Sequence, residues 1–481
     1  MLLSPEVSLI VTAVLVILLD LVVSQKGVLV LVSITGIIVA GFFTVSLWLS
    51  QDAVAAAVFS NMMAVDSFAL FFKLLFLGIA ALVVLSSVDY ADKFRRFQGE
   101  YYALVLISAL GMMLMAATAE MISIYIALEL TSISLYILVG FLKDSKSAES
   151  SIKYLLLGAV ASAVLLYGMA LVFGVTGSTR LGDIAGALGS TGLGSPALLL
   201  GVVLLICGFG FKIAAVPFHL WVPDVYEGAP TPITAYLSVG SKAAGFAVIL
   251  RVFVTAFGAP ELGPAWGMIF AVLAALSMTI GNVIALAQSN IKRMLGYSSI
   301  AQAGYLMVGL AAVGLNPAGD VLGQSGVLFF LAAYAFTNLG AFIAIIAISN
   351  KIESDQIGDY SGMFRRAPFL ALALSLSLIS LIGMPPAGGF MAKFYIFSAA
   401  VRHDLLWLVV IAVINSVISA YYYLRVVKVM WLGEPASSEK VPSSGALRLA
   451  LVVACLGVLV LGIVPGAAME LAQLASRMFI F

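Results

Sequence analysis

Long apolar runs, separated by short polar or Gly/Pro-containing breaks, make up almost the whole sequence. A helix needs about 20 mostly apolar residues to cross the hydrocarbon core of a bilayer. Dividing the chain at its charged and Gly/Pro-rich breaks predicts spans at about 5–24, 28–50, 66–88, 101–118, 120–142, 153–175, 196–221, 232–255, 265–288, 294–314, 324–349, 368–401, 404–431 and 445–473. The longest polar stretch, Asn350–Arg366, is too short to hold a core of its own. The pattern therefore predicts an all-α integral membrane protein with about 14 transmembrane helices.

Composition narrows the functional classes. Of the 481 residues, 63% are hydrophobic and 10% charged, and the mean hydropathy is +1.16. Soluble domains carry roughly 45–50% apolar and about 25% charged residues, so this chain needs lipid as its solvent. A net charge of +1 provides no basic surface for nucleic acid, and two cysteines cannot build an iron–sulfur or zinc site. We expect no catalytic centre, cofactor or metal in this chain.

The distribution of Lys and Arg predicts the orientation in the membrane. Most of the 24 such residues fall on connections that follow odd-numbered spans, and only four fall on the opposite side: Arg180, Arg251, Arg402 and Arg477. Basic loops stay on the cytoplasmic side of a membrane. Both termini are therefore expected on the outer, periplasmic side.

Two short motifs recur at an offset of about 170 residues. Tyr136–Gly140 resembles Tyr305–Gly309, and Leu250–Val252 resembles Leu424–Val426. The offset suggests a duplicated unit of five spans, and an odd number of spans gives the second copy the opposite topology. The resulting division is three N-terminal helices (1–100), a first repeat (101–258), an inverted second repeat (259–432) and a C-terminal helix (433–481).

Four lysines fall within spans, namely Lys73, Lys212, Lys242 and Lys393. A charge at the bilayer centre costs about 2.5–3.5 kcal/mol on insertion scales, so such residues usually have a function. Lys73 lies near the end of its span and is expected to extend its side chain to the interface. Lys242 lies about 15 Å deep, among small residues, and its counterpart in the second repeat is Ser416.

Glu129 is the one carboxylate that the pattern places deep in a span. Burial disfavours the charged forms of both carboxyl and amino groups, so Glu129 and the lysines are candidates for proton exchange. A pair of Glu129 and Lys212 whose separation changes would act as a proton switch, although the sequence leaves open whether they touch. Glu120, at the mouth of the same helix, is expected to be solvated.

Two spans carry matching interruptions. Lys212 ends Gly208-Phe-Gly-Phe-Lys212, and Lys393 follows Gly383-Met-Pro-Pro-Ala-Gly-Gly389. Proline removes a helix donor and glycine loosens the helix, so both helices are expected to be broken, near Gly210 and Pro385. Irregular backbone at membrane depth survives only beside protein or a water-filled cavity. The sequence therefore predicts a lysine beside each of two broken helices.

His219 lies at the predicted cytoplasmic end of the seventh span. Imidazole titrates near neutral pH, which suits a proton inlet. A structural histidine with a fixed hydrogen bond remains the alternative.

Three motifs resemble one family: Pro217-Phe-His-Leu-Trp-Val-Pro-Asp-Val-Tyr-Glu-Gly-Ala-Pro230, Asn290-Ile-Lys-Arg-Met-Leu-Gly-Tyr-Ser-Ser-Ile300 and Tyr421-Tyr-Tyr-Leu-Arg-Val426. They resemble the antiporter-like subunits of bacterial proton-pumping NADH:quinone oxidoreductase, respiratory complex I, and within them the subunit N branch. Subunits L and M usually have His-Thr-Trp-Leu-Pro in the first motif, and subunit M usually has glutamate at the position of Lys393.

The resemblance implies a proton-translocating subunit in which Glu129, Lys212, Lys242 and Lys393 match the family's membrane-embedded proton-transfer residues. It also implies that NADH, FMN, iron–sulfur clusters and quinone are bound by partner subunits. The expected partners are the other antiporter-like and small hydrophobic subunits, the peripheral redox arm and the lipid of a bacterial cell membrane. The alternative is a cation/proton antiporter subunit of a multisubunit secondary transporter, and few carboxylates in the membrane argue against sodium.

Overall fold

The computed structural model describes residues 2–23, 25–50, 56–58, 62–94, 97–191, 195–316, 320–435 and 437–476. Helices account for most of them: α1 (Ser4–Val22), α2 (Gly27–Ser50), α3 (Ser67–Ser86), α4 (Gln98–Ala117), α5 (Met121–Val139), α6 (Ser145–Thr176), α7 (Leu181–Thr191), α8 (Pro196–Ile213), α9 (Trp221–Gly228), α10 (Thr231–Tyr236), α11 (Lys242–Thr255), α12 (Gly263–Leu286), α13 (Ile291–Gly314), α14 (Leu322–Ile352), α15 (Met363–Arg366), α16 (Pro368–Ile382), α17 (Gly388–Arg402), α18 (Leu406–Leu432), α19 (Gly445–Ile463) and α20 (Gly466–Ser476). A short antiparallel hairpin pairs β1 (Ala56–Val58) with β2 (Met63–Val65).

The predicted helical membrane class is confirmed. Within the described residues, 12 helices are long and apolar enough to cross a membrane, counting Thr231–Thr255 as one. Two predicted spans remain. The span predicted at 294–314 corresponds to α13, and the one predicted at 368–401 is interrupted, so that it forms the two short helices α16 and α17. The total of 14 spans, the inverted repeats and the division into four parts stay predictions.

Burial separates central from peripheral helices. Of the segments that qualify as spans, Thr231–Thr255 and α14 are about nine-tenths buried, whereas about a third or less of α1, α2, α6, α18 and α19 is buried. In a membrane, the exposed apolar side chains of these peripheral helices can contact lipid tails, which are as apolar as they are, so their exposure carries no penalty. The polar residues on the central helices are enclosed by protein.

Both expected helix breaks are present. The eighth helix ends at Ile213, where Ala214 is left-handed with φ 62°, and α9 begins only at Trp221. The second break lies between α16 and α17, and begins at Gly383 with φ 90°. The first break begins one turn after Gly210, which lies inside α8. The irregular backbone starts after Ile213, and its Ala215 amide donates to the Gly210 carbonyl at 2.8 Å.

A third irregularity immediately precedes Lys242. The segment Leu237–Ser241 is π-helical, and it joins α10 to α11. The amide of Asn338 in α14 donates to the Ser238 hydroxyl at 2.6 Å, which anchors the widened turn. Such turns often occur at functional sites. The small residues Ser238, Gly240 and Ser241 were the sequence signal, but they did not predict this geometry.

Two charged residues differ from their predicted environments. Lys73 does not reach the interface: it is fully buried and pairs with Glu6 of α1 at 2.7 Å. Glu6 is itself only 3% exposed, so both members of this ion pair are enclosed by protein. Glu120 is 4% exposed rather than solvated, because its carboxylate caps α5 by accepting from the Ser123 amide at 2.6 Å. The ion pair of Glu6 and the hydrogen bond to Glu120 offset part of the free energy that removing each carboxylate from water costs.

Candidate functional site

Lys212 lies in the last turn of α8, where backbone carbonyls without helical partners favour a cation. Its ammonium donates to the Ser132 hydroxyl of α5 at 2.9 Å. Beside it is a cavity of about 10 Å³, whose wall includes Ser132, Tyr136 and Ser162. That volume is about the minimum for one water molecule. The lysine therefore faces hydroxyl groups and space for a single water.

Glu129 lies on α5 one turn before Ser132 and is half-buried. Its carboxylate accepts a hydrogen bond from the Ser162 hydroxyl of α6. Both residues are in the described part of the chain, and no ion pair within 4.0 Å joins Glu129 to Lys212. Because Ser162 and Ser132 line the same cavity, one water and two hydroxyls can connect the carboxylate with the ammonium.

Lys242 is buried at the start of α11. Its ammonium donates to both oxygens of Ser299 in α13: the backbone carbonyl, and the hydroxyl at 2.5 Å. The same hydroxyl contacts the Tyr334 hydroxyl of α14 and the Tyr226 hydroxyl of α9, each at 3.1 Å. Four elements therefore meet at the Ser299 side chain.

Lys393 lies on α17 against the break before that helix. Its ammonium donates to the Ile382 carbonyl at 2.9 Å and to the Ser416 hydroxyl at 3.0 Å, and lies 4.1 Å from the centre of the Tyr305 ring. The break leaves carbonyls of α16 without helical partners, and the lysine donates to two of them, those of Leu381 and Ile382. Gly383 has φ 90°, a left-handed conformation that favours glycine, and a Cβ at this position would lie 2.9 Å from Lys393 Cδ, so the lysine side chain would have to shift.

Two cavities reach Lys393. One has a volume of about 10 Å³ and includes Gln302, Tyr334 and Thr337 in its wall. Because the Tyr334 hydroxyl also contacts Ser299, this cavity lies between Ser299 and Lys393. The other is a large, open cavity of about 850 Å³ that extends towards Arg402 and is lined mostly by apolar side chains, among them the exposed Phe394 and Val417. Lys393 therefore lies where the enclosed polar interior meets this open cavity.

Lys212 and Lys242 are neighbours across the α8–α11 contact. A Cβ at Gly245, one turn after Lys242, would lie 3.3 Å from Lys212 Cγ. The absence of a side chain at Gly245 lets the two helices approach closely. The structure thus brings together four of the residues that the sequence selected, in the order Glu129, Lys212, Lys242 and Lys393.

His219 is not joined to this set. It lies half-buried in the break between α8 and α9. In the described structure, no side-chain hydrogen bond or ion pair connects it to the three lysines or to Glu129. His219 is close to Lys212 in the sequence. Its role as a proton inlet stays a prediction.

Sequence reasoning missed the hydroxyls that connect the charges. They are Ser132, Ser162, Tyr226, Ser299, Tyr305 and Tyr334. Ser132 could have been found, since residues three apart share a helix face and it follows Glu129 at that spacing. Ser416 was named as the repeat counterpart of Lys242, but its contact is with Lys393. The others lie far from their partners in sequence.

The arrangement is chemically suited to proton exchange, because each lysine is held by uncharged groups. None of the three lysines has a carboxylate within 4.0 Å in the described residues, so hydroxyls and carbonyls hold each ammonium. A lysine that loses its proton in such surroundings leaves no unpaired carboxylate behind. No group of three or more His, Cys, Asp or Glu that could hold a metal ion occurs among the described residues.

Comparison with known proteins supplies family evidence. Residues 118–419 match the family model described as NADH:quinone oxidoreductase/Mrp antiporter, TM. The chain is 50% identical to NADH-quinone oxidoreductase subunit N of Dehalococcoides mccartyi, with 99% of each chain covered. It is 45% identical to the protein of the same name from Desulforamulus reducens, over 93% of this chain and 91% of the relative.

Solved structures show the same fold. A chain of respiratory complex I from Thermus thermophilus with bound aureothin superposes with a TM-score of 0.82 and 36% identity, covering 98% of this chain and 99% of that one. A chain of the Mrp complex from Dietzia has a TM-score of 0.87 over 99% and 97% of the two chains. At 19% identity, the second similarity speaks for the fold alone.

Proposed function

Given that this chain belongs to the membrane-subunit family of NADH:quinone oxidoreductase, as a multi-pass relative of subunit N, we propose that it translocates protons while partner subunits perform the redox chemistry. The observation that carries the proposal is the series of buried lysines, each held by neutral groups and each next to a hydroxyl or a cavity of water size. Ionisable side chains enclosed among membrane helices commonly form proton relays.

The first half of the route runs from Glu129 to Lys212. A proton on the carboxylate passes to the Ser162 hydroxyl, through one water in the cavity, and to Ser132 and Lys212. His219 supplies the cytoplasmic inlet in this proposal, because an imidazole exchanges protons with bulk water near neutral pH. Making and breaking the water link between Glu129 and Lys212 is the switch.

The second half runs from Lys242 to Lys393. Ser299 and Tyr334 carry the proton from Lys242 to the small cavity beside Gln302, and a water there completes the path to Lys393. The proton leaves Lys393 through the large cavity on the outer side. This direction of transfer assumes the orientation that the distribution of Lys and Arg predicts, with both termini on the periplasmic side.

The chain supplies no redox centre in this proposal. NADH, FMN, the iron–sulfur clusters and quinone belong to partner subunits, so the chain acts within a translocase. Its membrane partners are antiporter-like and small hydrophobic subunits, and a peripheral redox arm delivers the driving reaction. Sodium exchange is the less favoured alternative, since a hard cation prefers several oxygen ligands with carboxylates among them.

The experiment is purification of the tagged chain from its native membrane in a mild detergent. We expect iron–sulfur and flavin subunits to co-purify, and the complex to take up protons into vesicles during quinone reduction in sodium-free buffer. Recovery of the chain alone, or only with small antiporter subunits and with sodium-dependent proton movement, would favour the alternative.

A further inference from the structure

The short helix α9 contacts both halves of the lysine series. At its first residue, the Trp221 indole N–H donates to the Phe211 carbonyl at 3.1 Å, and Phe211 directly precedes Lys212. Further along α9, the Tyr226 hydroxyl lies 3.1 Å from the Ser299 hydroxyl that binds Lys242. One helix of eight residues therefore touches the neighbours of both lysines.

Ion pairs fix the position of α9 relative to α6 and α13. The Asp224 carboxylate accepts from Lys153 at 2.9 Å and from Arg293 at 2.7 Å. The Glu227 carboxylate accepts from Lys146 at 2.9 Å and again from Arg293 at 3.1 Å. Arg293 bridges both carboxylates, so the network holds α9 at two points. A network of several charges stabilises more than isolated surface pairs do.

Close packing leaves α9 little room to move. The Ser150 hydroxyl of α6 donates to the Asp224 carbonyl at 3.0 Å, and a Cβ at Gly228 would lie 2.0 Å from the same hydroxyl oxygen. The Trp221 and Tyr154 rings stack with 4.5 Å between their centres. An element held this tightly transmits a displacement instead of absorbing it.

We propose that α9 is a positioning element that couples the Lys212 site to the Lys242 site, with Trp221 and Tyr226 as its two contact residues. The inference rests on the proposed proton-transfer function of the lysines. A change at the end of α8 moves Trp221, the rigid α9 carries the change to Tyr226, and the Ser299 hydroxyl turns towards or away from Lys242. Neither Trp221 nor Tyr226 accepts the transferred proton.

The test is a double-mutant cycle of Trp221→Phe and Tyr226→Phe in the complete complex, each of which removes one hydrogen-bonding group. We expect each variant to lower coupled proton pumping about three- to tenfold, with the KM for quinone unchanged. If α9 transmits between the sites, the double variant should lose no more pumping activity than the more impaired of the two single variants. Losses that multiply would overturn the proposal.

Matched controls exist elsewhere in the chain. The Trp266 indole N–H donates to the Phe257 carbonyl at 3.0 Å, and the Tyr236 hydroxyl donates to the Val105 carbonyl at 3.2 Å. Trp266→Phe and Tyr236→Phe remove the same groups from buried positions that are not on α9. They are expected to stay within about twofold of wild type and to combine independently. A coupling between them equal to that of the α9 pair would also overturn the proposal.

A charge reversal keeps the proposal testable if an aromatic variant fails to assemble. Lys146→Glu places a second carboxylate beside Glu227, and adding Glu227→Gln removes that repulsion while the side chain at 227 still accepts from Arg293. Pumping should fall in the single variant and recover to at least about half of wild type in the double variant. No recovery in an assembled complex contradicts the proposal. Lys242→Ala in the same series distinguishes a failure of the coupling through α9 from a failure of the proposed proton-transfer function. Full pumping by the Lys242→Ala complex would contradict the proton-transfer function itself.

Discussion

The ammonium of Lys242 and the hydroxyl of Tyr334 meet at one atom, the Ser299 hydroxyl oxygen, at 2.5 and 3.1 Å. A hydroxyl both donates and accepts, so it can receive a proton from one side as it releases one to the other. Tyr334 in turn lines the small cavity that reaches Lys393. In the proposed route, Ser299 is thus the first group that a proton leaving Lys242 would meet.

Ser299→Ala should lower coupled proton pumping about tenfold, because it removes the relay hydroxyl but keeps the carbonyl that holds Lys242. The neighbouring Ser298 provides a control, since its hydroxyl pairs with Tyr423 rather than with the lysine. Ser298→Ala should remain within about twofold of wild type. Proton uptake by vesicles that contain each assembled complex measures the difference, and equal losses would remove the relay role from Ser299.

Glu129→Gln and Ser162→Ala should not have independent effects. Both act on one hydrogen bond beside the Lys212 cavity, so the double variant should pump about as poorly as Glu129→Gln alone. Ser151→Ala is the control on the same helix, because its hydroxyl donates to the Tyr136 carbonyl at 2.8 Å. Initial pumping rates test this expectation. If the losses from Glu129→Gln and Ser162→Ala multiply, the two residues do not share a path.

Gly383→Ala should impair the Lys393 site in two ways. An alanine at φ 90° is strained by about 1 kcal/mol or more, and its Cβ would lie 2.9 Å from Lys393 Cδ. We expect a lower thermal midpoint for the complex and a reduced pumping rate. Gly445→Ala serves as the control, because no atom lies within 4 Å of its added Cβ. An unchanged pumping rate in Gly383→Ala would mean that the position of Lys393 is not critical.

The fold class and the burial of Lys212, Lys242 and Lys393 followed from local sequence alone. A bilayer sets the length of an apolar run, and a charge inside such a run is visible without any tertiary contact. Proline and glycine near Lys212 and Lys393 likewise indicated both helix breaks, since their effect on the backbone is local. Only the position of the first break shifted, from Gly210 to the residues after Ile213.

The connections between helices could not be obtained in this way. Ser299 is 57 residues from Lys242, and Glu6 pairs with a lysine on another helix, so neither contact leaves a periodic signal. Hydrophobic patterning shows which face of a helix is apolar but not which helix covers it. For that reason Lys73 was placed at the interface, although the structure encloses it with Glu6.

The ion-pair network of α9 predicts a dependence of stability on pH. Burial raises the pKa of Asp224, but hydrogen bonds from Lys153 and Arg293 outweigh burial, so its pKa lies below the usual value. The pKa of Glu227 is lowered in the same way by Lys146 and Arg293. A carboxyl with a lowered folded-state pKa stabilises the fold above its unfolded value of about 4, and this stabilisation is lost as the pH falls through the lowered value.

Asp224→Asn should therefore inactivate faster than wild type at pH 7, and the difference should shrink as the pH falls below about 4. The half-life of the detergent-solubilised complex over a pH series measures it. Glu470→Gln alters an exposed carboxylate on α20 and should leave the half-life unchanged at every pH. A difference between Asp224→Asn and wild type that persists unchanged at acidic pH would contradict an origin in the ion pairs.

Lys242 and Lys393 are expected to differ in how easily they release a proton to water. Lys393 faces a large cavity, whereas Lys242 is enclosed by α9, α13 and α14. Any titratable group at the exit can release to water, so Lys393→Glu should keep more coupled activity than Lys242→Glu. Pumping rates of both assembled variants give the comparison. Equal losses would remove the exit role from Lys393.

Proton uptake driven by quinone reduction in vesicles that carry the Lys242→Ala complex tests the central claim most directly. Lys242 is the enclosed midpoint of the series, so the account predicts that pumping is abolished while the complex still assembles with its redox subunits. Lys242→Arg should fail largely as well, because guanidinium does not release its proton near neutral pH. Pumping at the wild-type rate by an assembled Lys242→Ala complex would contradict the account.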